Sequence, residues 1–311
     1  MTALAFAGLA FPVALGAMTG VAALFADPAA AIRDLNRYAL YIAFPALIVA
    51  GLTDAAFEPP AQPWFWAVIP IAMAITIATL RLAASRVPQQ AGTLAISAIF
   101  GNVAYVGLPL CVSVLGAAVL GTTSLAVSVF VLSSLLLGPT LLIRWTPGAA
   151  TDRSPWMSVA RQPLFWAPFV GLGLRLLPDG ALSTLHSLMS PVGASAAPVA
   201  LFLLGLYLWE NRSRLAHGGG SGVAHVLGKM VVFPAVMLAC VLAARRLGWA
   251  DDQAARIVLI LSATPTAIAT FALAQEFEVG ADSVATAIVG STLLAALSLP
   301  AAVALILQWI A

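Results

Sequence analysis

The sequence predicts an all-α membrane protein of ten transmembrane helices, built as two inverted five-helix repeats with broken, crossing helices 4 and 9. Three observations predict it. Hydrophobic residues make up 62% of the chain and charged residues 8%, with a mean hydropathy of +1.02, whereas a soluble domain carries roughly 25% charged residues. Apolar runs close to the roughly 20 residues needed to cross a bilayer recur ten times along the chain. The prolines of the second half also echo those of the first, in order.

The runs lie near 3–25, 37–53, 64–85, 91–116, 119–143, 162–178, 185–209, 223–244, 254–276 and 283–309. Pro12 is answered by Pro168, Pro45 by Pro198, Pro70 by Pro234 and Pro139 by Pro300, at offsets of roughly 150 to 165 residues. In that register Gly101-Asn102 in the fourth run answers Thr264-Pro265 in the ninth. The expected organisation is a first repeat over 1–143, a short cytoplasmic linker over 144–161 and a second repeat over 162–311. Five spans per half invert one repeat relative to the other, which is the design of secondary transporters with a site at the repeat interface.

Arginines set the expected orientation. The odd-numbered loops hold Arg33, Arg37, Arg81, Arg86, Arg144, Arg153, Arg161, Arg212 and Arg214, and the even-numbered loops hold Arg175, Arg245, Arg246 and Arg256. The positive-inside bias places the odd loops in the cytoplasm and both termini outside. The preference for arginine over lysine points to a GC-rich bacterial genome, hence an inner membrane. No Lys or Arg precedes the first apolar run, so a cleaved signal peptide is not expected.

Composition also sets exclusions. A net charge of +2 without a basic run gives no footprint for nucleic acid. Cys111 and Cys240 sit in apolar segments and read as small core residues. His186, His217 and His225 lack metal-ligand spacing, so neither a metal nor a cofactor is expected. No acid–base or metal cluster lies at mid-membrane, so the chain does not read as an enzyme.

The candidate site begins at Gly101-Asn102-Val103-Ala104-Tyr105-Val106-Gly107-Leu108-Pro109-Leu110, within an apolar run free of charge. Gly101, Gly107 and Pro109 weaken or interrupt a helix there, and backbone groups freed in hydrocarbon cost several kcal/mol each unless satisfied. Broken helices at membrane depth are the usual mark of a transporter's site. Asn102 has two readings, a ligand donor or a bond to a freed carbonyl of its own helix. Tyr105, three residues on, either reaches the ligand or packs. The partner stretch is Ser262-Ala263-Thr264-Pro265-Thr266-Ala267-Ile268-Ala269-Thr270, where Pro265 breaks the helix. Thr264 and Thr266 there either line the site or bond the backbone locally. Helix N-termini meeting at such a crossing favour an anion. Lys229, the only lysine, lies about two turns inside the eighth run. It either snorkels to the interface or stands as a fixed cation beside the crossing. Glu210, Glu276 and Glu278 fall at span ends and read as interfacial.

These residues resemble the auxin efflux carrier family, which includes the plant PIN-formed exporters and many bacterial permeases. The likeness rests on the Asn-containing segment ending Gly107-Leu108-Pro109-Leu110, and on Ala263-Thr264-Pro265 through Ala274-Gln275-Glu276-Phe277. Pro198 with Gly205-Leu206, and Lys229 with Pro234, add to it. Where plant members carry proline before the Asn, this chain has Gly101. The resemblance implies a scaffold of spans 1, 2, 6 and 7 that forms a homodimer, and a mobile core of spans 3–5 and 8–10. It implies that Asn102 holds a substrate carboxylate, that Pro265 marks the crossover, and that Lys229 stands in a sodium-site region.

The expected function is secondary transport, or facilitation, of small organic anions such as carboxylates across the lipid bilayer, by elevator-type alternating access. The rival is a sodium-coupled symporter of the bile-acid transporter type. That would call for acidic sodium ligands in the core, and the sequence shows none there.

Overall fold

A computed structural model of the chain describes residues 2–55, 57–84, 90–145, 163–213 and 220–310. The loop arginines Arg86, Arg153, Arg161 and Arg214, most of the 144–161 linker, His217 and the Glu276 side chain lie outside the described part. Among the described residues the chain is helical, with one isolated β-bridge and no strand.

The helices are α1 (Thr2–Val21), α2 (Pro28–Thr53), α3 (Pro63–Ala83), α4 (Ala91–Ile99), α5 (Val103–Leu115), α6 (Leu120–Trp145) and α7 (Pro163–Leu174). They continue with α8 (Asp179–Glu210) and with α9, which runs through Gly220–Leu227, Gly228–Val232 and Phe233–Arg246. The chain ends in α10 (Asp252–Ser262), α11 (Ala269–Glu276) and α12 (Ala281–Trp309). Six helical stretches are long and apolar enough to cross a membrane, and Phe6–Val21, Val103–Leu115 and Pro163–Leu174 are shorter apolar helices. The protein is therefore an all-helical, multi-pass membrane protein.

Local chemistry explains the ends. Asp27 accepts from the Ala30 amide at 2.9 Å and Pro28 opens α2, so α2 starts nine residues before the expected second span. Asp251 caps α10 in the same way, accepting from Ala254 at 2.7 Å.

Three helices contain a π-helical turn: Ala39–Ala43 in α2, Val103–Gly107 in α5 and Gly228–Val232 in α9. Each is followed, two residues after its end, by a proline: Pro45, Pro109 and Pro234. A proline ring crowds the carbonyl four residues back and cannot bond to it. Widening that turn moves the carbonyl aside, and the amides of Phe44 and Phe233 reach back five residues, to Ala39 and Gly228. This corrects one expectation. Gly107 and Pro109 do not interrupt the helix, because the π turn absorbs the proline; the interruption falls at Phe100–Asn102, ahead of it.

By internal contact the chain divides into two units. The first comprises Met1–Pro60, Ala104–Ser128 and Ala160–Arg212, and the second Ala61–Val103, Val129–Val159 and Ser213–Ala311. In the first unit α1 and α8 touch backbone to backbone. A Cβ at Gly16 would collide with the Phe202 carbonyl, and one at Gly205 with the Val13 carbonyl. The C-terminus of α2 is held by side chains: Arg175 Nη1 donates to the carbonyls of Leu52 at 2.8 Å and Asp54 at 3.3 Å, and His186 Nδ1 bonds that of Ala50 at 3.0 Å. In the second unit α3, α9, α11 and α12 pack against α4, every residue of which is buried, and α10 packs against α9 and α12.

Candidate functional site

In the second unit two interrupted helices meet. The chain leaves α4 at Phe100 and leaves α10 at Ser262, and the two loosened stretches pair as an antiparallel bridge between Gly101 and Thr266. The Asn102 amide donates to the Pro265 carbonyl at 2.7 Å, and the Ala267 amide to the Phe100 carbonyl at 2.9 Å. Proline at 265 still offers a carbonyl while lacking an amide, so it serves in this bridge as acceptor only.

The carbonyls freed at the two helix ends are all the more costly in an apolar interior, and side chains satisfy them. Thr266 Oγ1 donates to Ser97 O at 3.0 Å and Ser134 Oγ to Ile99 O at 3.2 Å. Thr264 Oγ1 donates to Leu261 O at 2.7 Å, Ser262 Oγ to Leu259 O at 2.7 Å, and Lys229 Nζ to Ser262 O at 3.1 Å. The Thr266 amide is taken up by Ser291 Oγ at 3.0 Å. Lys229 thus brings a basic group to the C-terminal end of α10, the negative end of its dipole. It is wholly buried, and its Nζ lies 4.5 Å from the centre of the Phe233 ring.

Gly101 is where these parts converge. A Cβ there would stand 2.9 Å from Thr264 Oγ1, 3.0 Å from Lys229 Nζ and 3.2 Å from Val103 Cγ1. No side chain fits without displacing one of them.

The sequence candidates therefore separate by chemistry. Each threonine hydroxyl has one hydrogen, and those of Thr264 and Thr266 are spent on carbonyls, so neither can donate to an anion. Asn102 is different. The residue is 4% exposed, and Nδ2 is buried with no partner among the described residues. Ser97 Oγ and Thr270 Oγ1 are likewise buried and unpartnered. Thr270 lies in the stretch singled out by sequence. Ser97, Ser134 and Ser291 were missed, because an isolated serine in an apolar run carries no signal of what it faces.

Tyr105 belongs to the first unit. Its hydroxyl donates to Asn36 Oδ1 at 2.6 Å and its ring stacks on Phe44, centroids 5.0 Å apart and 5° from parallel. Tyr105 therefore packs, and its phenolic hydrogen is committed. Gly107 and Pro109 lie one and two residues either side of the π-to-α junction of α5, Pro109 in the first turn of Leu108–Leu115. Among the described residues no group of three or more His, Cys, Asp or Glu side chains comes together.

No curated protein matches the chain. A family model described as "Membrane transport protein" matches residues 13–303, which takes in both loosened stretches and nearly every helix. The chain therefore belongs to the membrane transport protein family of the auxin efflux carriers.

Proposed function

We propose that this protein is a secondary transporter, or facilitator, of small organic anions, with its substrate site at the crossing of the two interrupted helices. The observation that carries the reading is Asn102. A buried amide nitrogen without a partner costs about 1–3 kcal/mol, and a crossing whose hydroxyls and lysine amine are spent on freed carbonyls leaves this donor open. An anion's oxygen is the group that would complete it, with Ser97 and Thr270 as further donors. Lys229 supplies positive charge beside Gly101, where an anion would otherwise meet only dipoles.

The wider reading follows the family resemblance. Ten spans form two inverted repeats, α1, α2, α7 and α8 form a scaffold that dimerises, and the remaining helices carry the site by elevator-type alternating access. The carrier sits in a bacterial inner membrane with both termini in the periplasm. A sodium-coupled symporter is the other reading of this architecture. Against it stands Lys229, whose amine takes the Ser262 carbonyl that a metal cation would need.

A thermal-stability screen of the purified protein against organic acids, in sodium and in potassium, tests the proposal. A ligand at 100 times its dissociation constant stabilises by about 2.7 kcal/mol. A set of carboxylates should raise the midpoint in a concentration-dependent way, equally in both salts. Stabilisation by amines or neutral solutes, with carboxylates silent, would exclude an anion site.

A further inference from the structure

His225 has no part in the crossing, yet it is as buried as Lys229. Both side chains are 0% exposed, and they stand one helical turn apart on α9, followed at the same spacing by Phe233. Each meets the region of α4. His225 Nε2 lies 3.3 Å from Thr93 Oγ1, and Lys229 Nζ lies within 3.0 Å of where a Gly101 Cβ would be. Thr93 Oγ1 itself donates to the Gln90 carbonyl at 3.1 Å. Its one hydrogen is spent there, so the imidazole must be the donor between the two. With hydrogen on Nε2, protonation of the other ring nitrogen makes the ring a cation.

A polar file results. It runs from the Gln90 backbone carbonyl through the Thr93 hydroxyl to His225, and one turn further to Lys229, Ser262 and the crossing. Among the described residues the surroundings offer little other charge. Helix α4 has no titratable side chain over Ala91–Ile99. Helix α12 contributes Asp282, which is exposed, and α10 contributes exposed Asp252, paired with Arg245, and Arg256, which bonds the Ile310 carbonyl. Helix α3 contributes Arg81, stacked over Trp145, and the α11–α12 turn contributes exposed Glu278.

Side chains one turn apart on a helix are neighbours, and in a medium of low effective dielectric two like charges at that spacing repel strongly. We propose that His225 and Lys229 form a proton-binding pair that holds one proton between them in the ligand-free protein, exchanged with solvent. The proton comes from water and returns to it; no other bond changes. Its link to transport rests on the anion site proposed above. An anion beside Gly101 would attract a second proton to the pair, so that anion and proton are taken up together and, by linkage, each favours the other's binding.

The single lysine makes the pair observable. In protein labelled with 13C-lysine, the side-chain resonance of Lys229 stands alone and reports its charge directly. Followed from pH 5 to 9 without ligand, it should titrate, and its midpoint should move by about one pH unit or more in His225→Gln, the mark of two coupled sites. His225→Asn serves as the second variant. If neither folds, the reciprocal measurement, labelled histidine in Lys229→Met against the parent, reads the same coupling. A lysine resonance that does not titrate in that range, or a midpoint unmoved by the histidine substitutions, overturns the pair. Benzoate, ionised throughout this range, is the probe for the second step. Coupling that holds while benzoate leaves the midpoint unmoved counts against the anion site and leaves the pair standing.

Discussion

The amine of Lys229 donates to the carbonyl of Ser262, 3.1 Å away, at the point where α10 stops being a helix. Half-helix C-termini with unwound carbonyls are where transporters of this general design coordinate a metal cation. Here a lysine amine sits at such a carbonyl. At ~4 Å two unit charges repel by about 4 kcal/mol with an effective dielectric near 20. Anion uptake into proteoliposomes should therefore be the same in sodium and in potassium at constant ionic strength. Lys229→Met keeps the stem volume and removes the charge; it should fold and bind anions more weakly. A steep rise of uptake with sodium would remove the substitution argument.

Gly101 should accept no larger residue. In Gly101→Ala the new methyl meets Thr264 Oγ1 at 2.9 Å and Lys229 Nζ at 3.0 Å, and overpacking of that kind costs about 1–3 kcal/mol. The thermal midpoint of the purified variant should fall and ligand-induced stabilisation should shrink with it. An unchanged midpoint would mean that the two loosened stretches separate readily.

Asn102 makes the opposite prediction. Nδ2 has no partner to lose among the described residues, so Asn102→Ala should keep a midpoint close to the parent's in the absence of ligand. Its binding should suffer instead. A hydrogen bond to a charged group contributes about 1.5–3 kcal/mol, which is roughly 10- to 150-fold in affinity. Asn102→Asp, near in size but negative, should bind anions less well still. A variant that unfolds while its surviving fraction binds normally would make Asn102 a structural residue.

Tyr105→Phe separates packing from binding at a neighbouring position. The ring keeps its stack on Phe44 and loses the 2.6 Å bond to Asn36, at a cost of about 1 kcal/mol. Thermal melting should register that loss, and anion affinity should not change. Weakened binding with an unchanged midpoint would return Tyr105 to the substrate site.

Much of this was legible because glycine and proline act locally. Gly101 and Pro265 sit in the two interruptions of the helices, where a missing Cβ and a missing amide are what the bridge requires. Pro109 sent the same signal without the same result, since one widened turn accommodates a proline without ending the helix. The pairings were not legible. Thr266 with Ser97, Lys229 with Ser262 and Tyr105 with Asn36 join residues far apart in sequence, and nothing in a serine or threonine reveals which distant carbonyl it meets. Nor did spacing distinguish committed hydroxyls from open ones. That distinction needed the hydrogen count at each oxygen, and it is what leaves Asn102, Ser97 and Thr270 as open donors among the described residues.

The three widened turns before Pro45, Pro109 and Pro234 carry a consequence for comparing relatives of this chain. A π turn is, in effect, a helix with one residue added, and everything beyond it is rotated by about one residue's angle. A relative that lacks the proline has no need of the extra residue. Its alignment to this chain should open a one-residue gap within Ala39–Ala43, Val103–Gly107 or Gly228–Val232. Lys229 stands inside the last of these, so a gap placed a few residues away would pair it with the wrong position and hide whether the relative keeps a base there.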